Sequence, residues 1–153
     1  MRSTLGHRGW HAFAIAVLLA VSLGAAPAAA DGAHYTNIKQ PAEELLETGK
    51  TILDQPLHYP TDGAPVVKAL MLTVAPGEET VEHQHGVPMF VYMLAGELEV
   101  DYENQGTQRV VEGDTFMEAT GVWHKGRNTG DKPARILVVF MGTETAPSVI
   151  RRD

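Results

Sequence analysis

A chain of 153 residues with a formal net charge of -7 and no cysteine has room for one domain and little more, and it has no disulfide or thiolate metal site to draw on. Its acidic balance and scarcity of aromatics argue against a nucleic-acid partner, which needs a basic patch.

Residues 1–30 read as a secretory signal peptide. Arg2 and Arg8 bracket the start, the apolar run Ala12–Ala26 follows, and Pro27 leads into the small residues Ala28, Ala29 and Ala30. The run is shorter than the roughly 20 residues a spanning helix needs. Cleavage after Ala30 is therefore expected, with Asp31 first in the mature chain and no membrane span left in it. An alanine-rich leader without a twin arginine points to the bacterial periplasm or to secretion. A mature chain without cysteine relies on its core for stability, and about 120 residues suffice for that.

Residues 31–50 read as an N-terminal arm and a short helix. Asp31–Gln40 is polar and aperiodic. Pro41 then opens P-A-E-E-L-L-E-T-G, with proline in the first turn, acids near the N-terminus and Gly49 at the end. From Thr51 the pattern changes to short β-rich runs punctuated by Gly, Pro, Asn and Asp. Strands are expected at Ile52–Leu53, Val66–Val74, Thr80–Glu82, Phe90–Leu94, Leu98–Tyr102, Gln108–Val111, Thr115–Met117, Trp123–Asn128 and Arg135–Phe140. So many short strands at close spacing imply an all-β sandwich or barrel over residues 51–142. Residues 143–153 read as a short C-terminal tail.

The chemistry concentrates at H-Q-H, His83 to His85. Histidines at i and i+2 on a strand point both imidazoles to one face. If that face lines a barrel, the two nitrogens converge. The other histidines beyond the leader are His34, His58 and His124, and His124 is the best candidate for a third ligand from another strand. Burying three imidazoles without a partner is costly, which favours a metal over three unrelated polar residues. His58, between Pro56 and Pro60, reads as a surface residue. His34 is fourth in the mature chain, one place late for an amino-terminal copper clamp.

Two stretches resemble the paired motifs of the cupin superfamily. The first cupin motif is Gly, five residues, His-x-His, three or four residues, Glu, six residues, Gly. Here it reads Gly77, His83, Gln84, His85, Met89 and Gly96 at those spacings. The second is Gly, five residues, Pro-x-Gly, two residues, His, three residues, Asn, and here it reads Gly113, Ala119, Thr120, Gly121, His124 and Asn128. Met89 stands where the family has its acidic ligand, and Ala119 where it has proline. The resemblance spans about Val66 to Met141. It implies a double-stranded β-helix, a jelly-roll barrel, holding one metal at His83, His85, His124 and, by position, Met89. Many members pair through sheet edges or N-terminal arms, which would give Asp31–Gly49 a role in a homodimer.

Methionine in place of a carboxylate changes the expected metal. A thioether is neutral and soft and favours copper. Methionine also fills irregular core gaps, and a three-histidine centre with open positions would suit iron or zinc. Glu118 reads as an acid near the metal, either a general base, a carboxylate orienting an imidazole, or a solvated residue on a strand edge. Tyr92 and Trp123 read as pocket walls or core packing. Two functions follow: a dioxygenase-like oxidoreductase acting on a small-molecule substrate, or a non-enzymatic copper-binding protein for buffering or transfer.

Overall fold

The structure, a computed structural model, describes residues 42–152. The expected signal peptide and most of the expected arm lie outside those residues. Among the described residues nine strands form, all paired antiparallel: β1 (Pro65–Val74), β2 (His83–Gln84), β3 (Met89–Ala95), β4 (Glu97–Asp101), β5 (Thr107–Val111), β6 (Thr115–Met117), β7 (Lys125–Arg127), β8 (Ala134–Thr143) and β9 (Ile150–Arg151). One sheet has the order β1-β8-β3-β6, a second β5-β4-β7, and β2 pairs with β9. This is the all-β, double-stranded β-helix architecture that the strand pattern and the paired motifs imply. Among the described residues no helix is long and apolar enough to cross a membrane.

Period-two alternation builds the core. In β3, Met89, Val91 and Met93 are buried and sit opposite Phe140, Val138 and Ile136 of β8. Leu98 and Val100 of β4 and Val110 of β5 close the core from the facing sheet. A register shift between Met93 and Ala95 marks a bulge, which bends β3 into the turn at Gly96.

Four stretches depart from expectation; one is Thr80–Glu82, which forms no strand, the strand starting instead with β2 at His83. The helix expected over Pro41–Gly49 is not formed: residues 42–48 carry no regular secondary structure, and Pro41 itself lies outside the described residues. A single pair of leucines does not make an amphipathic stripe, and a helix this short needs a buried face. Leu45 is instead exposed, and its carbonyl accepts a hydrogen bond from the Thr115 hydroxyl. Ile52–Leu53 forms a turn rather than a strand. The stretch 143–153 begins in β8 and carries β9, which pairs with the histidine strand.

Gly96 is where the bend tolerates only glycine. Its φ is 76°, and a Cβ there would lie 2.9 Å from Ala134 Cα and 3.0 Å from the Pro133 carbonyl oxygen. Backbone atoms cannot yield as a side-chain tip can. Gly96→Ala should lower stability by about 2 kcal/mol or more, read as a shift in the chemical-denaturation midpoint; an unchanged midpoint would contradict the close approach.

Candidate metal centre

The two motif segments meet along an antiparallel ladder. Gly77 N–H donates to the Asn128 carbonyl at 2.9 Å, Thr80 N–H to the Gly126 carbonyl at 2.9 Å, and Asn128 N–H to the Glu78 carbonyl at 3.0 Å. At the inner end His83 and His124 exchange both backbone hydrogen bonds, at 3.0 and 2.8 Å. Directly opposed residues of an antiparallel pair share a face, so the two rings leave the ladder on the same side. Asn128 anchors the far end: its side-chain amide donates to the carbonyls of Val74 and Lys132, both at 2.8 Å, and its oxygen accepts from Gly130 N–H at 2.9 Å. Its role is structural.

His85, two residues on from His83, turns its ring to the same point. The ring centroids of His83 and His124 lie 4.5 Å apart, and each is 5.0 Å from, or to, that of His85 as the third member. One nitrogen from each ring lies within 4.8 Å of the other two.

In all three rings Nδ1 faces a backbone carbonyl: that of Val81 for His83 at 2.7 Å, Ser148 for His85 at 3.0 Å, and Val122 for His124 at 2.9 Å. A carbonyl only accepts, so each Nδ1 carries the proton and each Nε2 presents a lone pair. His85 Nε2 is buried with no hydrogen-bond partner, alone in this among the buried side-chain N and O atoms of the described residues. An orphaned lone pair at such depth is costly, and a cation satisfies it. The donor set therefore fits a metal ion, held by neutral imidazoles with their other nitrogens fixed from behind. Burial lowers the pKa of all three rings, that of His85 to about 3, and so keeps them neutral.

The rings open into a cavity of about 80 Å³. Met89 lines it from β3, Glu118 from the end of β6, and aliphatic side chains such as Val91, Leu98 and Val138 form its walls. Glu118 is buried and is neither a solvated acid nor an imidazole partner. Its Oε1 accepts the Tyr102 hydroxyl at 2.6 Å and the Ala119 N–H at 2.7 Å. Burial raises its pKa, against the opposing pull of those two donors. Glu118 lies outside the convergent group of three histidines.

Tyr92 and Trp123 do not line the cavity. Tyr92 lies on β3 opposite Leu137 and Thr115, and the Trp123 ring lies under the Arg152 guanidinium at 4.5 Å. His58 is exposed. His34 lies outside the described residues. Tyr102 and Ser148 are the site residues that sequence reasoning missed. Tyr102 had a signal, being a tyrosine at an inward-facing strand end, where a buried hydroxyl needs a partner.

Residues 70–140 match the family model described as the cupin domain. The chain carries a cupin domain. No curated protein matches it in sequence. Among solved structures it is similar to the oxalate decarboxylase of Lactobacillus farciminis in complex with formate, at 23% identity and a TM-score of 0.49, over 56% of this chain and 26% of that one. It is similar to the DMSP lyase DddQ of Ruegeria pomeroyi at 27% identity and a TM-score of 0.48, over 56% of this chain and 42% of that one. A conserved double-stranded β-helix protein of Klebsiella pneumoniae matches at 21% identity and a TM-score of 0.47, over 61% of this chain and 84% of that one. The match thus spans less than half the length of the first two.

Glu118 sets a pH dependence within this domain. Its folded pKa is raised above the unfolded value, so the contribution of its bound proton is fully present below the unfolded pKa. It is lost as pH rises through the folded pKa. Glu118→Gln keeps the acceptor oxygen and never ionises. In melts of the metal-free protein the wild type should lose ground to Glu118→Gln as pH rises from about 5 to about 8. Parallel melting curves across that range would refute a raised pKa.

Proposed function

We propose that this cupin is an exported metalloprotein in which His83, His85 and His124 hold one transition metal through Nε2, with dioxygenase-like oxidoreductase activity on a small substrate. The observation that carries the reading is the buried, unpartnered Nε2 of His85, set among two more imidazoles whose Nδ1 atoms are equally committed to carbonyls. Three protein ligands leave coordination positions open, which a catalytic metal requires. A metal held there supplies Lewis acidity and, if redox-active, electron transfer.

The chain's own residues do the rest. Aliphatic walls exclude water and favour a small, mostly apolar molecule. Glu118, with its carboxyl held by Tyr102 and the Ala119 N–H, keeps a proton available beside the same cavity. That placement supports a role as general acid or base.

Met89 supports a second reading. It is buried, and it lines the cavity that the three histidines line. As a fourth ligand its thioether would favour copper and fill a position that a substrate needs, which describes a copper-buffering or transfer protein. Without it, iron or zinc suits three imidazoles. Export is supported by the leader sequence, and protein recovered from the cell envelope should begin at Asp31; a retained residue 1–30 segment would count against a cleaved signal.

Elemental analysis of the natively purified protein separates the metals. His124→Ala should abolish tight binding, since two imidazoles do not close a stable shell, and full occupancy in that variant would overturn the centre. Met89→Leu should leave an iron or zinc site intact but weaken a copper site and change its absorption spectrum. An unchanged copper affinity and spectrum would reduce Met89 to packing.

A further inference from the structure

We propose that the C-terminal segment Pro147–Arg152 is the positioning element of the metal centre, with the Ser148 carbonyl setting the ring of His85. The proposal rests on the metal-binding reading above and adds to it a part of the chain outside both cupin motifs.

The three imidazoles are oriented by different means. His83 and His124 each bond a carbonyl two residues upstream, so their own strand segments fix them. His85 bonds the carbonyl of a residue 63 positions away. Without the segment that carries Ser148, no other partner among the described residues holds a proton on His85 Nδ1. The ring would then be free to carry its proton on Nε2, the nitrogen that faces the other two histidines.

The segment is built to hold that carbonyl in place. Ile150 and Arg151 pair in register with Gln84 and His83, and Arg152 N–H donates to the Glu82 carbonyl at 3.2 Å. Pro147 lies directly on the turn after His85: a Cβ on Gly86 would come within 2.6 Å of the Pro147 carbonyl oxygen. That contact leaves no room for any residue larger than glycine. The Arg152 guanidinium then joins three parts of the barrel at once. It meets Glu82 at 3.0 Å and Glu103 at 2.6 Å, and it covers the ring of Trp123, the neighbour of His124, at 4.5 Å. Exposed ion pairs taken singly are weak. A backbone ladder, a close-packed turn and a shared guanidinium together register the segment against His85.

Two variants test this. Deleting residues 147–153 removes the carbonyl but keeps Ala146, which packs on the core. Arg152→Glu keeps the whole chain and sets a carboxylate against Glu82 and Glu103, which should drive the segment off. Far-UV circular dichroism checks that each variant folds. Imidazole nitrogen NMR of the metal-free protein at neutral pH should show all three histidines protonated on Nδ1 in the wild type. In both variants His85 should lose that signature while His83 and His124 keep theirs. Affinity for Zn²⁺ alone, measured against a chromophoric chelator, should fall about 10- to 100-fold in the deletion and by less in Arg152→Glu. An unchanged His85 signature, or unchanged Zn²⁺ affinity, in the folded variants overturns the proposal. If the deletion does not fold, Arg152→Glu decides by the same two readouts. His124→Ala in the full-length chain is the control: if it too leaves Zn²⁺ affinity intact, the metal reading has failed, and the NMR signature alone still decides what positions His85.

Discussion

The reciprocal pair of backbone hydrogen bonds between His83 and His124 is the constraint on which the site depends. It locks two segments some forty residues apart into one register, and register decides which face each ring occupies. A slip of one residue would send one imidazole to the opposite side of the ladder. The residues that prevent such a slip carry no chemistry themselves. Gly77 and Asn128 bond at the outer end, and the Asn128 side chain ties that end to Val74 and Lys132. The two ends of the paired motifs are therefore a structural latch, and the histidines are what the latch presents.

Electrostatics within the cavity follow from the same closure. Burial pushes the pKa values of the three imidazoles down and that of Glu118 up. Each shift favours the neutral form, because a low dielectric penalises charge of either sign. A neutral imidazole keeps a lone pair on Nε2 with which a cation could be held, so the same desolvated space favours the uncharged form of both kinds of group. Tyr102 and the Ala119 N–H work against the shift at Glu118 by donating to its Oε1, which holds the carboxyl in one place while leaving burial dominant.

Legibility differed from element to element for identifiable reasons. β1, β3, β6 and β8 were readable because an apolar or alternating run met a turn residue at each end, and such punctuation is local. The short stretch Pro41–Gly49 misled because its end signals resembled those of a helix, whereas no buried face existed to stabilise one. The pocket walls expected at Tyr92 and Trp123 failed on facing. Tyr92 has the outward parity of β3, and Trp123 was claimed by Arg152, a contact with the far end of the chain.

By itself the sequence determined where most of the strands lie along the chain, the spacing of two motifs and the three histidines, since those depend on residue type and on spacing along one segment at a time. Convergence of the rings, the burial of Glu118 against Tyr102 and the bond from His85 to Ser148 were decided only in the tertiary structure. Each of these joins residues from separate strands, and their distances arise from sheet closure and desolvation, which no single stretch of chain encodes.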